Sequence, residues 1–213
     1  MICGVDEAGR GPVIGPMVVA GLMLESESQL NGLNVRDSKK CTPKRREKLA
    51  QELNKFAKTE VIIVPASDID AMRENLTMNQ IETKLFASVI EKLNPKIAYV
   101  DSADVNEERF GKDIENELNL KVDIISKHDA DEIFPIVSAA SIIAKTIRDA
   151  EIRKIAKEIG KDIGSGYPSD TTTIQFLERW IEERGQPPPH TRLSWKTARR
   201  LLDRAKSRKI NEY

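Results

Sequence analysis

Five carboxylates stand where separate stretches of the chain leave apolar runs: Asp6 and Glu7 after the run from Ile2, Asp101 at the end of IAYVD, and Asp129 and Asp131 ahead of the helical stretch from Ser138. In open sheets with parallel strands, ligands collect beyond the strands' carboxyl ends, so residues at such ends are placed to converge. Carboxylates crowded into a cleft repel one another unless a divalent cation neutralises them, and hard oxygen donors select magnesium or manganese. Two such ions roughly 4 Å apart activate a water and stabilise the leaving oxygen of an in-line phosphoryl displacement. Cys3, Cys41, His128 and His190 are too few and too scattered for a zinc site or a disulfide framework, so a metal here is held by oxygen. Cys3 reads as core packing and Cys41 as incidental.

Each residue also has a plainer role open to it. An aspartate at a strand end often serves as a cap or turn residue. Successive strand side chains point to opposite faces, so Asp6 and Glu7 share one site only if the Gly-rich segment after them breaks the pleat. Gly9, Arg10 and Gly11 follow directly, and glycine lets backbone approach a sugar or phosphate closely. Ser38, Lys39 and Lys40, then Lys44, Arg45 and Arg46, form a basic cluster that suits either phosphate or solvent. Lys145 and Arg148 sit three apart on one helix, and the pattern alone does not choose between phosphate contacts and pairing with Asp149 and Glu151.

The elements that must position these groups follow from periodicity. Strands are predicted at Ile2–Val5, Met17–Leu24, Val61–Val64, Ile97–Val100 and Val122–Ile125, the first two forming a hairpin with a long Gly-rich connection. Helices are predicted at Pro43–Ala57, with Thr42 as N-cap, and at Asn79–Leu93, Glu107–Leu118, Ser138–Ile159, Thr172–Glu183 and Ser194–Lys206. The order implies an α/β layer structure on a mixed sheet, with helical material weighted to the C-terminus. The segment RGQPPPH, Arg184–His190, is a stiff spacer, and GSGYPSD, Gly164–Asp170, is a loop ahead of a helix.

With 213 residues, 39% hydrophobic and 32% charged, the chain has the profile of a globular domain rather than a disordered or membrane protein. No secretory signal or membrane segment is expected, and the profile reads as cytoplasmic. The zero formal charge conceals a gradient. From Arg184 to Tyr213 nine basic residues face two acidic ones, so the tail carries a surplus of seven positive charges and the body the matching deficit. That asymmetry suits a protein that grips a polyanion with one part and holds divalent cations with another.

Five motifs in register, DEAGRGPVIGPMVVAG (Asp6–Gly21), DSKK (Asp37–Lys40), YVDS (Tyr99–Ser102), VSAASIIAKTIRD (Val137–Asp149) and GSGYPSD, resemble ribonuclease HII, particularly its archaeal form. The resemblance implies a ribonuclease H-like mixed five-stranded sheet flanked by helices, with a catalytic domain over residues 1–160 and a small helical C-terminal lobe over 161–213. It implies two Mg2+ or Mn2+ ions held by Asp6, Glu7, Asp101 and a fourth carboxylate. Counting back four residues from Pro135 makes that Asp131, with Asp129 the alternative. Gly9, Arg10 and Gly11 would read the ribose 2′-hydroxyl, Tyr167 would stack on the sugar beside the scissile junction, and Ser38, Lys39, Arg45, Arg46, Lys145 and Arg148 would hold phosphates. The implied activity, carried out as a monomer, is hydrolysis of the RNA strand of RNA/DNA hybrids and cutting 5′ to ribonucleotides embedded in duplex DNA, leaving 3′-hydroxyl and 5′-phosphate ends.

Asp129 and Ile133 stand where the family usually has lysines. The C-terminus keeps the Ile210 and Tyr213 spacing of a sliding-clamp motif but lacks its glutamine. A non-catalytic nucleic-acid-binding module would leave the carboxylates without purpose. A junction resolvase or transposase-like enzyme would lack GRG beside its first carboxylates, and ribonuclease HIII usually carries an extra N-terminal domain.

Overall fold

The apolar run MVVAGLML forms β2 (Met17–Leu24) and is buried along its whole length, which a strand reaches only when both faces of its sheet are covered. In the computed structural model, which describes residues 1–35 and 41–210 and side chains as far as 207, β2 lies inside a five-stranded sheet of order β3-β2-β1-β4-β5. The other strands are β1 (Ile2–Ala8), β3 (Lys58–Val64), β4 (Ile97–Asp101) and β5 (Asp123–Lys127). β1 runs antiparallel to β2 and parallel to β4, and β4 runs parallel to β5, so the sheet is mixed, as expected.

The chain forms two compact units. The first comprises Met1–Ala8, Val18–Ile63 and Leu76–Ile147 and contains the sheet. Side chains alternate between its faces. Val18, Ala20 and Leu22 pack with α1 (Pro43–Leu53) and the first half of α6 (Pro135–Ile159) on one face. Cys3, Val5, Val19, Ala98 and Val100 pack with α3 (Met78–Leu93) and α4 (Glu107–Glu117) on the other. The small residues of SAASIIAK let α6 come close. A Cβ on Gly4 of β1 would lie 2.3 Å from the Ile136 carbonyl oxygen, so only glycine fits there. On the far face Phe86 and Phe110 meet edge to face at 5.5 Å, and truncating either to alanine would cost about 3–5 kcal/mol.

The second unit comprises Gly9–Met17, Val64–Asn75 and Arg148–Tyr213, so its limits differ from the division at residue 160 expected from the sequence. Its core joins Val13 and Ile14 to Ile152 and Ile155 of α6, Phe176, Leu177 and Trp180 of α7 (Thr171–Arg184), and Leu201 of α8 (Lys196–Ile210). Two apolar residues of the Gly-rich connection draw that connection into this core, which is why the unit is not one stretch of sequence.

Three elements have no counterpart among the predicted ones: a 3-10 turn at Glu27–Leu30, α2 (Ala66–Arg73) and α5 (Ala130–Ile133). They are one or two turns long, too short for an apolar stripe to register. β1 also runs three residues past its predicted end, and β3 begins three residues early, through Lys58, Thr59 and Glu60. No helix among the described residues is long and apolar enough to cross a membrane.

Candidate active site

β1 and β4 pair in register up to Val5 and Val100, and the next residues along are Asp6 and Asp101, at the carboxyl ends of two parallel strands. Asp6 alternates with Val5 and so faces α6; Asp101 alternates with Val100 and faces the same way. An Asp101 carboxylate oxygen accepts from the Ala130 amide at 2.6 Å, anchoring the single turn of α5 against the end of β4. That anchor brings in Asp131, which is buried.

The three carboxylates feel one another. Burial pushes the Asp6 carboxyl above the usual range; Ser141 and Lys145 of α6 oppose this, and the charge of Asp131 reinforces it. Ser141 lies near enough to favour the charged form without completing a hydrogen bond. Asp101 is pushed up to about 7, by burial first and then by the Asp6 charge, with Asp131 and Asp129 adding to it against the Ala130 hydrogen bond. Lys145 Nζ lies 3.8 Å from Asp131, so this lysine answers part of the negative charge. An all-oxygen donor set, with Asp6 and Asp101 pushed toward protonation, suits a hard divalent cation, which would relieve the repulsion outright.

Asp129 is exposed and begins α5 with φ 50°. Ligand oxygens of Asp129, Asp131 and Glu132 come within 4.8 Å of one another, but only Asp131 is buried and acts on both Asp6 and Asp101. Glu7 falls differently. β1 stays regular through Glu7↔Val19 and Ala8↔Val18, so the pleat does not break and Glu7 leaves the strand on the face opposite Asp6. The break of the pleat that would let Asp6 and Glu7 share one site is not met, because pairing with β2 holds β1 extended to Ala8.

In the second unit, Gly9 takes φ +86°, and a Cβ there would lie 2.6 Å from the Pro16 carbonyl oxygen, so the turn demands glycine. Gly166 accepts from the Val13 and Ile14 amides, and His190 accepts from Gly15. Tyr167 lies beside Gly11, at 3.7 Å from where a Cβ would sit. The Arg148 guanidinium is buried, donates to the Ser165 carbonyl and stands 4.9 Å from the Tyr167 ring centre. Arg148 also keeps the Asp149 contact at 3.8 Å, so it serves here as a strut under Tyr167.

Arg45 is exposed on the first turn of α1, whose N-cap is Thr42 as expected, and Arg46 reaches the Cys41 carbonyl at 3.5 Å. Ser38 and Lys39 lie outside the described residues. Sequence reasoning missed Ser141, Glu132, Asp70, Arg192 and Trp195. Arg192 had been counted only as part of a basic tail, yet it is fully buried, with burial and the charge of Arg148 pushing it down to about 10. The segment HTRLSW around it, with one arginine beside Leu193 and near Trp195 directly after a proline run, was the available signal.

A family model described as ribonuclease HII matches residues 3–198. The ribonuclease HII of Methanoregula boonei is 48% identical over 202 residues, covering 95% of this chain and 94% of that one. Among solved structures, the ribonuclease HII from Archaeoglobus fulgidus, in complex with PCNA, aligns with a TM-score of 0.88 at 45% identity, covering 94% and 96% of the two chains. The ribonuclease H2 of Pyrococcus horikoshii aligns at 0.90 and 40%, covering 96% and 98%. A ribonuclease HIII crystallised with Mn2+ shares the fold at a TM-score of 0.81 and 19% identity, with 97% of this chain and 70% of that one covered.

Proposed function

The chain belongs to the ribonuclease HII family, and from that premise we propose that it hydrolyses RNA strands of RNA/DNA hybrids and also cuts 5′ to single ribonucleotides embedded in duplex DNA, leaving 3′-hydroxyl and 5′-phosphate ends. The observation that carries this reading is the convergence of buried Asp6 and Asp131 with half-buried Asp101 in one mutually repelling set. Those three residues would hold two divalent ions, Mg2+ or Mn2+; Glu7 is kept in the set on its motif alone, against the strand geometry that turns it to the opposite face. Bound there, such ions activate the attacking water and stabilise the leaving oxygen. Ser141 and Lys145 oppose the burial that pushes Asp6 toward protonation, and the Asp101 carboxylate fixes α5 and with it Asp131.

The turn Gly9–Gly11 reads the 2′-hydroxyl, the group that tells RNA from DNA, and Tyr167 stacks on the neighbouring sugar. Arg45, Arg46, Ser38, Lys39 and Lys145 supply phosphate contacts, which place the duplex without reading sequence. Arg148 acts through Tyr167. The protein works as a cytoplasmic monomer. The Archaeoglobus relative was solved with PCNA, which supports a sliding clamp as partner here. The tail residues Ile210 to Tyr213 that would dock on it lie outside the described side chains.

The test is to offer a duplex with one ribonucleotide, a full hybrid and an all-DNA duplex, with Mg2+ and Mn2+ in turn, and to map the cut. Cleavage of the first two on the 5′ side of a ribonucleotide is expected. Binding without cleavage would make the protein a non-catalytic module, and cleavage of all-DNA would move it to the resolvase class.

A further inference from the structure

Arg192 is fully buried, yet its hydrogen bonds go to main-chain oxygens rather than to a carboxylate. Nε donates to Gly15 at 3.0 Å, Nη1 to Arg10 at 2.8 Å and Nη2 to Gly9 at 2.6 Å. Trp195, whose ring lies 4.8 Å from the guanidinium, donates from Nε1 to the Gly11 carbonyl at 3.1 Å. The segment bearing both residues is itself anchored: Asp70 of α2 accepts from the Leu193 and Ser194 amides at 2.6 and 3.0 Å. Burying a guanidinium is costly unless its donors are satisfied, and a leucine or methionine would fill the same space without that cost. The charge is therefore kept for what it holds.

It holds three carbonyls of the Gly9–Gly15 turn, and Trp195 holds a fourth. The peptide bonds of this turn are trans, as are all those among the described residues, and in a trans peptide the C=O and the following N–H point in opposite directions. Turning the Gly9 and Arg10 carbonyls onto the guanidinium therefore turns the Arg10 and Gly11 amides away from it. We infer that Arg192, with Trp195, is the positioning residue that aims the Arg10 and Gly11 amides at the substrate ribose, and that it makes no phosphate contact despite lying in the basic tail. This rests on the reading of the Gly9–Gly11 turn as the 2′-hydroxyl reader.

The test uses the full chain and four variants, Arg192→Gln, Arg192→Lys, Trp195→Phe and Gly9→Ala. For each, kcat is measured on a duplex with one ribonucleotide, along with the salt dependence of affinity for an all-DNA duplex and the circular dichroism spectrum. Both Arg192 variants should lose roughly 100-fold in kcat, the cost of an ångström of misplacement, because lysine offers a point charge instead of a planar fork. The slope of log affinity against log salt should not change, since that slope counts neutralised phosphates. Trp195→Phe should show a smaller loss with the same signature.

Rescue by lysine, or a slope reduced by about 0.9, would make Arg192 a phosphate contact and overturn the inference. Gly9→Ala separates it from the reading beneath it. If Gly9→Ala cleaves normally, the turn does not read ribose; if Gly9→Ala is impaired while Arg192→Gln is not, the positioning inference alone fails. Should the Arg192 variants lose their helical spectrum, Trp195→Phe decides, and full kcat there overturns the inference.

Discussion

At the carboxyl ends of β1 and β4, Asp6 and Asp101 are held beside Asp131 with one half-exposed lysine to answer them, and both are pushed toward protonation. Around the Gly-rich turn of the second unit, Arg192 is buried as deeply, but main-chain carbonyls take up its Nε, Nη1 and Nη2 donors, and another takes up Nη2 of the buried Arg148. One region stores repulsion that only a cation or a proton relieves. The other spends its charge on fixing backbone before any ligand arrives. The contrast separates two demands on a nuclease: ligands must bind metal strongly, which needs charge left unanswered, whereas a recognition turn must not move, which needs every polar group answered.

Breaking the first region should have the largest effect. Asp6→Asn and Asp101→Asn should each lower cleavage by at least about 10³-fold, the several kcal/mol of charge stabilisation that bound metal contributes, without lowering metal-free thermal stability. Asp131→Asn should resemble them and Asp129→Asn should not; equal losses in a cleavage assay would reopen the choice of fourth ligand. In the second region, Tyr167→Ala should cost roughly ten- to a hundredfold on a single embedded ribonucleotide and clearly less on a long hybrid, while Tyr167→Phe stays near wild type. Equal losses on both substrates would remove Tyr167 from junction recognition.

The stored repulsion should also be visible in stability. Because Asp101 titrates at about 7 when folded against a usual 3.8, the folded chain holds more protons than the unfolded one between those values. Stability in chelator should therefore fall as pH rises through that window, by about 2 kcal/mol after solvent screening. Mn2+ should raise Tm more at pH 8 than at pH 5, and a flat metal-free profile would refute the repulsion. The smallest effect belongs to Asp170, the N-cap of α7, which the Ser165 amide and then Thr172 hold down to about 2. Its contribution is present above pH 3.8 and lost as pH falls through about 2. Asp170→Ala should cost about 1 kcal/mol at neutral pH, and Asp170→Asn should recover most of it.

The sequence by itself marked the carboxylates at the strand ends and the glycines of the turn as candidates, and determined the mixed sheet and its long helices. These are local properties: a run of apolar residues, an abrupt charge, a proline after a threonine. Only the tertiary structure decided that Asp131 rather than Asp129 is buried against Asp6 and Asp101, because one turn of helix anchored by a hydrogen bond from residue 130 to residue 101 has no periodic signature. The same holds for Glu7, which the β1–β2 ladder keeps on the opposite face. Arg192 is the clearest case. In sequence it is one of nine basic residues in a tail, and what sets it apart is contact with carbonyls some 180 positions earlier, a separation that no local pattern encodes.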